Sequence, residues 1–205
     1  MASLDGLHFD NVALRELPVD SNASQEVKNN VPGVCYSLVN IEPLHAPLLV
    51  CASKAAFSAI GVNTDEISDA VLAMYFSGNR QMHGSVTYSH CYCGYQFGFF
   101  SGQLGDGAAT SLGEVVTESG DRWELQLKGA GKTPYSRMGD GRKVLRSSLR
   151  EFLCSEAMHF LVRTIQLRTC HVEIRPSAQL RKTPSGLFSW LAGHTSEVAR
   201  VPVHS

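Results

Sequence analysis

Apolar and polar positions alternate most regularly in Trp123-Glu124-Leu125-Gln126-Leu127-Lys128. A period of two predicts a half-buried strand, with Lys128 on its polar phase at the strand's end. Leu112–Thr117 reads as a neighbouring strand, joined to it by a turn at Glu118-Ser119-Gly120-Asp121. Val34–Val39 alternates more briefly and predicts a short strand. Helical spacing governs three other segments. Ser53–Ile60 predicts a helix ended by Gly61. Asp65–Tyr75 predicts a second, capped by Asn63 or Thr64, with Ile67, Ala70, Val71 and Met74 on its packing face. Arg142–Phe160 predicts a third, with Leu145, Leu149, Phe152, Leu153, Ala157 and Phe160 forming one apolar stripe. Residues 1–33 are polar and rich in turn formers, and predict a loop lying over the rest.

The chain has 205 residues, 43% of them hydrophobic and 18% charged, enough apolar matter for a core. One domain, or one domain with an extension, follows from that length. The net charge of −1 gives no general attraction to nucleic acid or to anionic membrane. No apolar run approaches the roughly 20 residues needed to span a bilayer. Six cysteines without a secretory signal favour free thiols in a reducing compartment. The opening MASLDGLHFDN lacks arginine and carries Asp5 and Asp10, so no transit peptide is visible.

Candidate chemistry concentrates between Gly94 and Glu151. Gly102, Gly105 and Gly107 make a glycine-rich loop whose amides could approach phosphate. Taken alone, a glycine-rich hairpin explains it as well. Lys128 is a candidate phosphate ligand, although a strand-end lysine is more often simply solvated. Glu151, inside the third helix, could pair with Lys128 and aim its ammonium, or could be an ordinary surface carboxylate. His90, Cys91 and Cys93 invite a metal or redox reading, but Cys91-x-Cys93 is too tight and lacks a second ligand pair. Gly129-Ala130-Gly131-Lys132-Thr133 imitates a P-loop, yet Gln126 stands where that loop needs glycine. Residues 161–205 turn basic and carry no catalytic motif, which predicts a weakly ordered tail.

The runs HCYCG-x-QFG-x-F-x-GQLGDGAA-x₂-LGEV, RWELQLKGAG-x-TP-x-SR and DGRKVLRSS-x-REFLCSEAM closely resemble the selenoprotein O family in its animal form, over about residues 6–159. The resemblance implies an α+β, protein-kinase-like N-terminal lobe: an antiparallel sheet with a packed helix. It divides the chain into an extension with packing helices at 1–83, a nucleotide-binding lobe at 84–160 and a non-family tail at 161–205. It implies a protein adenylyltransferase that moves AMP from ATP to Ser, Thr or Tyr hydroxyls, with ATP inverted relative to kinases. Gly105, Gly107 and Ala108 would line the nucleotide, with Lys128, Asp140 and Gly141 as further contacts and Glu151 positioning Lys128. Bacterial members have Arg where Ala108 stands, and the family's usual histidine is Tyr95 here. The family's general base and its magnesium or manganese ligands would lie in a C-terminal lobe that does not map onto 160–205. The expectation is a truncated chain that is inactive alone. The alternative is a non-catalytic module that binds ATP or protein. Expected partners are ATP and, for the full-length family, protein substrates, with no nucleic acid and no membrane. The resemblance implies a mitochondrial location; with no transit peptide visible, a cytosolic one is the alternative.

Overall fold

The computed structural model describes residues 4–20, 22, 26–29 and 31–161, together with the strands 167–168, 185–186 and 188–194. Four helices and ten strands follow in chain order. They are α1 (Val12–Glu16), β1 (Val19–Asp20), β2 (Tyr36–Leu38), α2 (Lys54–Ala59), α3 (Asp69–Phe76), β3 (Tyr88–Gln96), β4 (Phe99–Gly105), β5 (Ala109–Val116), β6 (Arg122–Lys128), β7 (Lys143–Val144), α4 (Leu145–Leu161), β8 (Leu167–Arg168), β9 (Ser185–Gly186) and β10 (Phe188–His194). The larger sheet runs β1-β2-β3-β5-β6-β10-β8, with β4 paired to β3 alone. All its pairings are antiparallel except β1 with β2, so the sheet is mixed where an antiparallel one was expected. β7 and β9 form a separate two-stranded sheet.

The alternation along β6 sorts its side chains as period two requires. Leu125 and Leu127 are fully buried, while Glu124, Gln126 and Lys128 share the other face. The leucines join Leu112 and Val115 of β5 in a core completed by Phe57 of α2 and by Leu72, Tyr75 and Phe76 of α3. Phe57 and Phe76 meet edge to face at 5.3 Å. Ser53 caps α2 by accepting from the Ala56 amide, and Gly61, at φ +77°, ends it in the left-handed region.

Three expected elements are redrawn. Residues 63–76 do not form one helix. A 3₁₀ turn at Thr64–Glu66, capped by Asn63, gives way to extended Ile67, and α3 begins after Ser68. The packing face turns with it: Val71 and Met74 are 38% and 39% exposed, and the buried face is Leu72, Ala73, Tyr75 and Phe76. The described part of 1–33 is more than a covering loop. Leu4 and Leu7 enter the core, Phe9 bridges Val115, and β1 adds an edge strand. Asp10 fixes this segment, gripped by Arg15 and by Arg122 Nη2 at 2.6 Å, while Arg122 also reaches Glu114 at 3.0 Å.

The third redrawn element is the predicted 142–160 helix. It begins as α4 at Leu145, after Lys143 and Val144 have paired with β9. Its stripe is only half covered: Leu145, Leu149 and Phe152 are partly buried, whereas Leu153 is 65% exposed and Phe160 70% exposed, and Ser148 is the one residue of α4 that is fully buried. Two polar ties hold it. Ser53 Oγ donates to Glu156 Oε2 at 3.0 Å, and Lys128 Nζ donates to Glu151 Oε2 at 3.0 Å. The expectation for 161–205 lies largely outside the described residues. Within that segment β10 pairs along the whole of β6, from Phe188 opposite Lys128 to His194 opposite Arg122.

Candidate functional site

The glycine-rich stretch is a hairpin more than a loop. β3 and β4 pair from Cys91–Gly105 outward to Gln96–Phe99, and the chain reverses at Phe97 and Gly98, both at positive φ. Positive φ at both central residues is the geometry of a type I′ hairpin turn. Gly102 and Gly105 therefore lie on β4, and only Asp106, Gly107 and Ala108 form the short turn into β5.

That turn is clamped from two sides. The Asp106 amide donates to His90 O at 2.9 Å, and the His90 amide donates to Asp106 Oδ2 at 3.3 Å. Opposite, Thr133 Oγ1 donates to Asp106 O at 2.6 Å and Ser136 Oγ donates to Gly107 O. The glycines follow from this packing. A Cβ on Gly105 would stand 2.4 Å from Tyr135 Cγ, and one on Gly107 would stand 2.7 Å from Tyr135 O. Both positions are glycine because the 133–136 segment occupies the space a side chain would need.

Lys128 ends β6 beside this turn. It sits opposite Ala109 in the β5–β6 register, and the next amide, Gly129 N, donates to Ala108 O at 2.6 Å. Its ammonium is half-buried and meets the half-buried Glu151 at 3.0 Å. An ion pair this open contributes about 0.2–1 kcal/mol to stability. Its consequence is geometric: Glu151 takes one of the three N–H directions and leaves the ammonium aimed.

Asp140 and Gly141 lie on the loop that leaves β6. Arg142 closes that loop, donating to Gly129 O at 3.3 Å and to Glu42 Oε2 at 3.0 Å, which keeps Asp140 at the same end of β6 as Lys128. Asp140 Oδ1 accepts from the Arg142 amide. Gly141 packs so tightly on Gly131 that a Cβ would fall 1.8 Å from its carbonyl oxygen.

The polar face of β6 carries a cluster that sequence spacing did not assign. Glu124 accepts from His90 Nε2 at 3.1 Å, from Tyr88 OH at 3.3 Å and from Ser111 Oγ. Burial alone would raise the Glu124 carboxyl, but His90 and the hydroxyls outweigh it and hold the pKa below the usual range. Burial likewise works against the His90 imidazolium, yet Glu124, Asp106 and Glu114 together lift its pKa above the ordinary value. Asp106 is pushed up by burial, against the pull of His90 and Lys128. His90 was weighed only as a metal ligand beside Cys91 and Cys93, and Glu124 only as one beat of an alternating strand. Strand period could have placed Glu124 on the face of Lys128, but the β3–β6 proximity that brings His90 to it is tertiary.

Among the described residues no group of three or more His, Cys, Asp or Glu side chains could hold a metal ion. No helix among them is long and apolar enough to cross a membrane.

Comparison with known proteins decides the family. The SelO protein adenylyltransferase family matches residues 22–185. This chain belongs to the SelO family. The mouse protein named mitochondrial protein adenylyltransferase SelO is 53% identical over 175 residues, covering 82% of this chain and 26% of that protein. Its human counterpart is 52% identical over the same length. A bacterial relative from Azoarcus sp. (strain BH72), named protein nucleotidyltransferase YdiU, is 53% identical over 155 residues, 76% of this chain and 30% of its own. The chain thus spans about a quarter of the mammalian SelO proteins it matches. The SelO match runs to residue 185, past the last motif near residue 159.

Proposed function

We propose that this chain is the nucleotide-binding part of a protein adenylyltransferase with a kinase-like N-terminal lobe, and that Lys128 holds the phosphates of ATP. The observation that carries the reading is the 3.0 Å pair between Lys128 Nζ and Glu151 Oε2, a strand-end cation fixed by a helix carboxylate beside a tight turn. Transfer of charged phosphate groups draws most of its rate from such preorganised charge. Gly107 and Ala108 contribute backbone at the turn, and Asp140 and Gly141 border the same end of β6. Gly105 serves by keeping Tyr135 packed under the turn.

In this reading ATP and acceptor proteins are the substrates of the whole family protein, and its location is the mitochondrion, as in the names of the mouse and human relatives. Moving AMP also needs a base and a metal, which the family resemblance puts in a C-terminal lobe that does not map onto residues 160–205. Residues 1–205 alone should therefore bind ATP and transfer no measurable AMP. The exposed stripe of Leu153, Met158, Phe160 and Leu161 on α4 favours one further role for this part, contact with protein.

Calorimetric titration with ATP tests the reading. The wild-type chain is expected to bind, and Lys128→Ala to weaken binding by about 10- to 150-fold, the worth of a hydrogen bond to a charged group. Equal affinity in both proteins would refute it. Radiolabelled AMP incorporation by the 205-residue chain would refute the expected lack of transfer.

A further inference from the structure

His90 and Glu124 join the turn after β4 to the face that carries Lys128, and no role in ligand binding has yet been given to either. The His90 ring is tied to β6 through Glu124, at 3.1 Å. Its main chain is tied to the turn through Asp106, by a hydrogen bond in each direction. Aromatic edges confine the ring itself: Tyr36 of β2 at 5.1 Å and Tyr88 of β3 at 5.4 Å. Both tyrosines are fully buried and wall the ring on two sides, while about a third of the His90 side chain stays exposed. One residue thus spans the two elements that would have to hold a fixed separation around a phosphate chain.

We propose that His90 is a positioning residue of the phosphate site: gripped at its ring by Glu124, it holds the Asp106–Ala108 turn in place through its main chain, and its imidazolium offsets Asp106 and Glu124. The groups facing His90 are Glu124 of β6, Asp106 of the turn, Glu114 of β5, Tyr36 of β2 and Tyr88 of its own strand. All the charged ones are acidic. Loss of the His90 proton therefore leaves Glu124 and Asp106, the latter within the field of Lys128, less compensated, and the field met by an incoming triphosphate becomes more repulsive. The raised pKa of His90 fixes the sign: the compensating charge persists through the ordinary histidine range and is lost as pH climbs through the raised value above it.

The positioning half of this inference stands without a ligand, and the affinity half rests on the phosphate-site reading above. The test uses the isotope-labelled 205-residue chain, titrated from about pH 5.5 to 8.5 by NMR. The His90 ring should titrate above about 6.5, the Asp106 and Gly107 amides should move with the same midpoint, and Glu124→Gln should lower that midpoint. A midpoint at or below the ordinary value, or turn amides indifferent to it, would overturn the inference. In the second arm, ATP affinity is measured across the same range for wild type and His90→Gln. ATP titrates in this range too, so the readout is the difference between the two curves. Wild type should lose affinity several-fold on crossing the His90 midpoint, over and above the variant. Parallel curves would overturn the affinity half. Absence of ATP binding at every pH would defeat the phosphate-site reading instead, and the amide titration would still decide whether His90 positions the turn.

Discussion

Replacing Gly105 by alanine sets one methyl group against one buried ring. The added Cβ would lie 2.4 Å from Tyr135 Cγ and 2.8 Å from Tyr135 Cβ. Tyr135 is 6% exposed and its hydroxyl stands 2.7 Å from Ser37 Oγ, so the ring has no open direction in which to retreat. Overpacking of this kind costs about 1–3 kcal/mol, and displacing the ring from Ser37 adds about 0.5–1.5 kcal/mol. The sum, about 2–4 kcal/mol, lowers Tm by about 4–16 °C in a chain of this size. The assay is a double-mutant cycle in urea with Tyr135→Ala. Truncating the ring costs about 3–5 kcal/mol on its own. In that background the 2.4 Å approach to Cγ is gone and only the 2.8 Å approach to Cβ of residue 135 remains, so Gly105→Ala should cost clearly less than in the wild type. The coupling is the part of the cost that the ring imposes. If Gly105→Ala costs the same with and without the ring, Tyr135 is not what makes this position glycine, and a demand from the turn itself replaces the packing account.

Further outcomes follow from the same geometry. Asp10, held to about 2 by its hydrogen bonds to Arg15 and Arg122, should contribute stability that is complete above pH 3.8 and is lost as pH falls toward 2. Asp10→Asn should flatten that acid limb in urea melts taken across pH. Leu153→Glu places a charge on a side chain that is already 65% exposed, so stability in urea melts should change by less than about 0.5 kcal/mol. Glu151→Gln should cost under about 1 kcal/mol in stability, as befits a partly open ion pair, yet weaken ATP binding measurably.

Much of the site was legible because it lies on regular elements. The alternation in 123–128 put Lys128 at a strand's end on the polar phase, and helical spacing put Glu151 on α4. Their meeting at 3.0 Å is tertiary, and spacing alone left both as ordinary surface charges. The glycine-rich stretch fits a phosphate loop and a hairpin equally well from its residues, because glycine carries no side chain to show period two. α3 was misplaced because Asn63 and Ser68 are both good caps, and only the structure distinguishes the 3₁₀ turn from the helix proper. The stripe on α4 had correct periodicity, but periodicity says which face is apolar and not whether anything covers it. The parallel pairing of β1 with β2 has no local signature at all.

The central claim is that Lys128, aimed by Glu151, touches the phosphates of ATP. The Nζ resonance of Lys128, followed by nitrogen-15 NMR in lysine-labelled chain during an ATP titration, tests it most directly. The account predicts a saturable shift of that signal, tracking the calorimetric affinity and reduced in Glu151→Gln. ATP that binds while the Lys128 signal stays still would contradict it.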